Sequence, residues 1–203
     1  MSSISHGIGA GLGITALVLC IVKSAAAGDG WKLASSIVFG LTITLLYLMS
    51  CLYHALKVNR AKRVFRVMDH CTIFLLIAGT YTPYTLAALR RINPPLAWIV
   101  FGIIWAVAIT GVTLNAVNLR KFSKVSVACY LVMGWMVLLA YRPMTQVIPT
   151  PGIQLLILGG VVYTMGAIVY GIGSKKRWFH SIFHFFVLGG TVLHFFSIYL
   201  YVL

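Results

Sequence analysis

Residues 67–89 read VMDHCTIFLLIAGTYTPYTLAAL, and after the fourth residue the remaining nineteen carry no charged side chain. A helix that crosses the hydrocarbon core of a bilayer needs about 20 predominantly apolar residues. The stretch therefore predicts a transmembrane helix whose ionisable residues lie at one end. Pro83 is expected to kink this helix, and Thr80 and Thr82 are placed to satisfy the backbone groups that the proline frees.

Six further apolar stretches of similar length lie on either side of this one, separated by short polar or basic segments. No interval is long enough for a soluble domain or a long linker. We therefore predict an all-α protein with a single transmembrane domain over residues 1–203, built as a bundle of seven transmembrane helices. The predicted spans are 7–27, 33–56, 67–89, 96–117, 125–141, 152–173 and 179–203.

The composition excludes a soluble globular enzyme. Hydrophobic residues make up 61% of the chain and charged residues only 9%, with a mean hydropathy of +0.98, whereas soluble domains carry about 25% charged residues. The net charge is +14, but the basic residues form short clusters between apolar runs instead of one exposed face. This pattern argues against nucleic acid and favours anionic lipids at the cytoplasmic face as partners.

The basic residues also predict the orientation, because Lys and Arg in short loops are retained on the cytoplasmic side. Eleven of the 16 fall after the second, fourth and sixth predicted spans, so the N-terminus is predicted inside and the C-terminus outside. A retinal Schiff base is excluded, since the last lysine, Lys176, precedes the seventh span. The eleven are Lys57, Arg60, Lys62, Arg63, Arg66, Arg120, Lys121, Lys124, Lys175, Lys176 and Arg177.

Polar and ionisable residues inside a membrane span are costly and mark candidate functional sites. Ser50 and His54 lie one turn apart at the end of the second span, Asp69 opens the third, and His180 and His184 open the seventh. All three helix ends are predicted at the cytoplasmic side. Two histidines four residues apart on a helix can bind one metal ion, and three imidazoles with one position left for water are typical of catalytic zinc.

We therefore predict a zinc site with His54, His180 and His184 as ligands. Asp69 would either hold one of the ligand histidines or act as the base for water at the metal. The hydroxyl of Ser50 would hydrogen-bond that water or a substrate oxygen.

Plainer interpretations of the same residues stay open. His180 and His184 are also typical of a polar cap at the membrane interface, beside the basic residues that precede them. Asp69 is placed to pair with Arg63 or Arg66, an interaction worth little at an exposed surface.

Other polar residues near these spans have no predicted place in the zinc site. Cys51 and Cys71 are alternative metal ligands by residue type alone. His6 is expected in an N-terminal tail and His194 on a different helix face from the site, each in a structural hydrogen bond. His70 receives no predicted role.

The chain resembles the haemolysin III family, the bacterial branch of the progestin and adipoQ receptor (PAQR) group. The resemblance rests on SCLYH at 50–54, DHCTIFLLIAGTYTP at 69–83, and HSIFH at 180–184 followed by LHFF at 193–196. It implies a seven-helix protein of the bacterial cytoplasmic (inner) membrane. One departure is SHG at 5–7, where many members carry an acid and an Asn ahead of Thr-His-Gly. The resemblance therefore assigns no role to this segment.

The resemblance also implies a cytoplasmic-side zinc ion bound by His54, His180 and His184, with Asp69 and Ser50 as supporting residues. Related zinc membrane proteins include ceramidases, which cut a lipid amide. The leading hypothesis is thus a zinc-dependent hydrolase of a membrane lipid amide or ester. The alternatives are a non-catalytic, zinc-stabilised membrane sensor or homeostasis protein and, third, a cytolytic pore-forming haemolysin.

Overall fold

The computed structural model describes residues 2–173 and 177–203, and the side chains of Ser2, Arg177, Trp178 and His180 lie outside the described part. Lys175 and Lys176, two of the residues used to predict orientation, also fall outside it. The described residues form helices and no strand. In chain order these are α1 (Ser2–Ala26), α2 (Gly30–Ala55), α3 (Arg60–Thr82), a π-helical turn (Pro83–Ala88), a 3-10 turn (Leu89–Arg91), α4 (Pro94–Trp135), a 3-10 turn (Met136–Ala140), α5 (Tyr141–Val147), α6 (Thr150–Gly173) and α7 (Arg177–Tyr201).

Six helical stretches in the described part of the chain are long and apolar enough to cross a membrane. Five of them agree in position with predicted spans, to within a few residues at most ends. The remaining stretch, Pro94–Val147, is 54 residues long and contains the fourth and fifth predicted spans. A helix of that length would extend roughly 80 Å, far more than one bilayer.

A single residue divides this long stretch where the sequence analysis places a loop at 118–124. Asn118 has non-helical dihedral angles, φ −156° and ψ 83°. Its side chain accepts a hydrogen bond from the backbone N–H of Lys121 at 3.0 Å, which is how an N-cap residue starts a new helix. The predicted loop is therefore wrong in length, because helical hydrogen bonding resumes directly after the break.

The chain reverses direction at this break. The hydroxyl of Ser126 donates a hydrogen bond to the side-chain oxygen of Asn115 at 2.7 Å, although eleven residues of straight helix would separate the two by roughly 16 Å. Gly111 and Tyr130, on opposite sides of the break, both contact Phe74 of α3. Residues 94–117 and 119–135 therefore run antiparallel along α3.

At Pro83, where a kink is predicted, the helix changes type. From Pro83 the backbone widens into a π-helical turn, a form common where an α-helix is perturbed. The hydroxyls of Thr80 and Thr82 donate to the carbonyls of Leu76 and Ala78, at 2.7 and 2.8 Å. Threonine side chains thus hydrogen-bond the carbonyls of the turn that precedes the proline.

Two helices begin earlier than predicted, which matters for the site. Asn59 caps α3 and accepts from the N–H of Lys62 at 2.8 Å, so α3 starts at Arg60 instead of residue 67. The predicted tail that contains His6 is also wrong, because α1 begins at Ser2. Hydropathy underestimates both helices, since polar and basic residues continue a helix beyond its apolar part.

The helices pack mainly against their neighbours in the sequence, and α7 returns to contact α1. The α1 glycines make close helix contacts at two positions. A Cβ on Gly9 would lie 2.6 Å from the ring of Tyr47, and one on Gly13 would lie 3.1 Å from Cα of Thr44. Such small residues let helix backbones approach in a membrane. Gly11 has open space around it.

Candidate functional site

The end of α2 carries two of the predicted site residues, Ser50 and His54, one helical turn apart. Ser50 is buried and His54 is half-buried. Beyond them the chain becomes extended at Leu56, whose carbonyl accepts from Nζ of Lys62 at 2.8 Å. A cation at the carbonyl end of a helix is favourable, so Lys62 of α3 stabilises the end of α2 on which both side chains lie.

Asp69 of α3 meets Ser50 across the interface between α2 and α3. Ser50 lies close enough to Asp69 for its hydroxyl to favour the charged carboxylate. Asp69 and Asp29 are the chain's two acidic residues, and Asp29 caps the opposite end of α2. Asp69 is therefore the only acidic side chain at this end of α2.

His54 and His184 come together from α2 and α7, as the sequence analysis predicts. Their ring centroids are 4.9 Å apart and the rings are inclined by 67°. His184 is 1% exposed. Two imidazoles that bind one zinc ion at about 2.1 Å have ring centres roughly 5 Å apart, so this separation suits a shared ion.

The third predicted ligand cannot be placed in the same way. His180 lies one turn before His184 on α7, but its side chain is outside the described residues. Within the part of the chain that the structure describes, no three His, Cys, Asp or Glu side chains form a metal-binding group. The donor chemistry nevertheless suits zinc, because two imidazoles from different helices approach each other at this end of α2.

His6 of α1 also contacts His184, although the sequence predicted that His6 lies in an N-terminal tail. Its ring centroid lies 3.8 Å from that of His184, and the side chain is 3% exposed. A signal was present in the sequence: His6, Gly9 and Gly13 follow the i, i+3, i+7 spacing of one helix face. That face packs closely on α2.

The other polar residues near these spans bond elsewhere. The thiol of Cys71 donates to the carbonyl of Val112 at 3.6 Å, toward α4. Cys51 contacts Ser3 of α1, with 3.8 Å between sulfur and oxygen. Nε2 of His194 is 3.0 Å from the carbonyl oxygen of Leu156, in agreement with the structural role expected for it.

An apolar cavity of about 130 Å³ begins one helical turn from the site. Three helices that carry site residues also line the cavity, and the relation is the same in each: the lining residue is three or four positions from the site residue. Aromatic side chains from α4, α6 and α7 form much of the remaining wall. The three pairs are Leu46 and Ser50 of α2, Ile73 and Asp69 of α3, and Val187 and His184 of α7.

Comparison with known proteins agrees with this architecture. The family model described as Haemolysin-III related matches residues 1–195. The chain belongs to the haemolysin III family. Among its relatives in that family, Hemolysin-3 of Bacillus cereus is 40% identical over 202 residues, covering 100% of this chain and 90% of the relative. The Hemolysin-3 homolog of Bacillus subtilis (strain 168) is 38% identical, with 98% and 92% coverage.

A more distant relative extends the likeness beyond bacteria. The human Monocyte to macrophage differentiation factor is 27% identical over 180 residues, covering 85% of this chain and 72% of that protein. No solved structure matches the chain. Family membership and the apolar helices together identify a multi-pass membrane protein.

Proposed function

We propose that this haemolysin III family protein is a zinc-dependent hydrolase of an amide or ester bond in a membrane lipid. The observation that carries the proposal is the approach of His54 to His184, with 4.9 Å between their ring centroids, at the end of α2 where Ser50 lies close to Asp69. The cavity that begins one turn away gives an acyl chain a place beside the site.

In the proposed site His54, His180 and His184 would hold the ion. When bound, zinc would supply Lewis-acid polarisation of the scissile carbonyl and activation of a water molecule. Asp69 is the residue proposed to accept a proton, because it is the only carboxylate at this end of α2. Ser50, close to that carboxylate, is proposed to orient Asp69 through its hydroxyl.

We further propose seven membrane crossings, with the N-terminus and the site on the cytoplasmic side of the bacterial cytoplasmic membrane. The antiparallel course of residues 94–117 and 119–135 supports counting two crossings there. The exposed arginines Arg60 and Arg63 at the start of α3 support the orientation, since basic residues are retained inside. A cysteine at Leu203 is expected to react with an impermeant maleimide from outside intact cells, and labelling only after lysis would contradict the orientation.

The first experiment is elemental analysis of detergent-purified protein. We expect about one zinc per chain in the wild type, a large loss in His184→Ala, and retention in Asp69→Asn. His70→Ala is the matched control, a histidine adjacent to Asp69 that has no part in the proposed site. A wild type that carries no metal after purification without chelators would refute the zinc site.

The second experiment tests catalysis on zinc-loaded protein with fluorescent ceramide, N-acyl and phospholipid substrates in mixed micelles. Asp69→Asn is expected to lower kcat by about 10²–10⁴-fold, the usual contribution of a general base, while zinc content stays the same. Fully loaded protein that cleaves none of these lipids would exclude the hydrolase.

A second candidate function is a sensor in which zinc joins helices without catalysis. The burial of His184 between α1 and α2 favours this alternative, because an ion there would stabilise the bundle. It predicts that Asp69→Asn keeps its biological phenotype while His184→Ala lowers thermal stability. Dose-dependent dye release from liposomes would instead favour the third hypothesis from the sequence, a cytolytic pore.

A further inference from the structure

We propose that His6 is a positioning residue for His184, fixing the orientation of that imidazole before the metal ion binds. This inference rests on the proposed zinc site. The predicted zinc ligands lie on α2 and α7 alone, and the proposal adds a residue of α1 to the site.

The two ring contacts of His184 differ in kind. The His54 ring lies 4.9 Å from it at 67°, whereas the His6 ring lies 3.8 Å from it at only 41°. A centroid distance of 3.8 Å is shorter than the roughly 5 Å expected for two imidazoles on one ion. His6 therefore packs over the face of the His184 ring, in the place of a support and not of a ligand.

Tyr47 of α2 also contacts the His6 ring. The edge of one ring faces the other at 5.0 Å and 88°, a favourable aromatic geometry. Gly9, three residues after His6, has no room for a Cβ against the same tyrosine. The α1 helix is thus as close to Tyr47 as a glycine permits, and His6 cannot withdraw without moving the helix.

Tyr47 is in turn anchored to the helix that carries His184. Its hydroxyl is 2.7 Å from the hydroxyl of Thr191 and donates to the carbonyl of Val187 at 3.3 Å. Both partners belong to α7, within two turns of His184, and Tyr47 is 1% exposed. His6 therefore contacts both a tyrosine that is hydrogen-bonded to α7 and the α7 imidazole that it is proposed to support.

A ring fixed on one face loses rotamer freedom before the ion arrives, so less entropy is lost on binding. Residues that orient metal ligands typically change metal affinity by about 10–100-fold when they are removed. The shape of the His6 ring performs this function, and its nitrogens are not required.

The test is a titration of metal-stripped, detergent-purified protein with Co²⁺, followed through the visible d–d absorption that reports coordination geometry. His6→Ala is expected to raise the Kd for Co²⁺ about 10–100-fold and to change the absorption band. His6→Phe, which keeps a ring of similar position, is expected to stay within about threefold of wild type. Thermal stability of the metal-free proteins is measured alongside.

Ser24→Ala is the matched control for looser packing between α1 and α2. Ser24 is buried and lies 2.6 Å from the hydroxyl of Ser36, at the opposite end of the same interface. This variant is expected to lose stability without any change in Co²⁺ affinity or spectrum.

Each other outcome overturns a specific claim. Unchanged affinity and spectrum in His6→Ala would refute the positioning role while leaving the proposed site intact. A His6→Phe variant as weak as His6→Ala would show that a nitrogen is needed, which also refutes positioning by ring contact. A wild type that binds no Co²⁺ would overturn the proposed site and this inference together.

Discussion

Helices α3 and α6 are both apolar enough to cross a membrane, but they face opposite environments. In the span that contains α3, 83% of the most apolar window is buried, against 17% in the span of α6. The buried helix is the more polar of the two: threonines at 72, 80 and 82 are all within its core-facing set. In α6, residues such as Ile168 and Ile172 are largely exposed.

The difference follows from the solvent. Lipid tails are as apolar as leucine, so burying apolar surface between helices yields little, whereas a polar group in lipid is costly. Helices that carry polar and small residues therefore lie at the centre of the bundle. In this chain the apolar residues determine that a helix enters the membrane, and the polar ones determine which helix lies inside.

The largest effect is expected at Phe74 of α3, which is 1% exposed and packs on Gly111 and Tyr130. Phe74→Ala would leave a void and lower the free energy of unfolding by roughly 3 kcal/mol. Ile168→Ala on α6, where the side chain is 54% exposed, should cost little. Reversible unfolding in mixed micelles measures the free energy of unfolding of both variants. Equal losses would show that burial does not distinguish α3 from α6.

A smaller loss is expected at Gly79, where a Cβ would lie 2.0 Å from the hydroxyl oxygen of Thr42. Gly79→Ala forces α2 and α3 apart and should cost about 2 kcal/mol, the middle of the range for overpacking. Gly171→Ala on α6 is the control, since nothing lies within 4 Å of its position. A stable Gly79→Ala variant would mean that α3 tolerates displacement from the core.

Tyr81 tests the polar contacts of α3 directly. Its hydroxyl donates to the carbonyl of Gly134 at 3.0 Å and accepts from the N–H of Val137 at 2.8 Å. Tyr81→Phe removes both bonds, with an expected loss of about 1 kcal/mol, in the range of hydrogen bonds between membrane helices. Tyr141→Phe, at a 44% exposed position, should leave the unfolding midpoint unchanged. Equal unfolding midpoints for the two variants would show that the hydrogen bonds of Tyr81 do not stabilise the bundle.

The smallest effect is expected at Pro83, despite its place in the middle of a span. Pro83→Ala should change stability by less than about 0.5 kcal/mol, because side chains already satisfy the backbone of the turn. The hydroxyl of Thr85 bonds the carbonyls of Tyr81 and Thr82, at 2.9 and 3.1 Å. Thr85→Val should therefore lower the stability more than Pro83→Ala does. The reverse order would show that the proline, and not the threonine hydroxyl, stabilises the π-helical turn.

Much of the candidate site was predictable because it depends on helix ends. Ser50, His54 and Asp69 lie near the boundaries of apolar runs, and two successive antiparallel helices bring such boundaries to one level. The contact between His54 and His184 required only that α7 start at the end of the bundle where α2 ends and α3 begins. The contribution of His6 was not predicted, because the hydropathy pattern starts the first span at residue 7 and leaves that histidine in the preceding tail.

The break at Asn118 was predicted only in outline. Two apolar runs separated by Arg120, Lys121 and Lys124 indicated two spans, but not that helical hydrogen bonding would resume within one residue. The Asn118 side chain caps the second half, and the bond between Asn115 and Ser126 joins the halves. Such contacts form only when both halves pack along α3.

By itself the sequence determined the membrane class, the position of the apolar runs and the level of the ionisable residues along the membrane normal. These features are local, because about twenty apolar residues suffice to place a helix in lipid. Only the tertiary structure decided that α3 lies at the centre, that Tyr47 contacts His6, and that His6 contacts His184. Those outcomes depend on which face each helix turns toward its neighbours, and close packing between residues distant in the sequence decides that face.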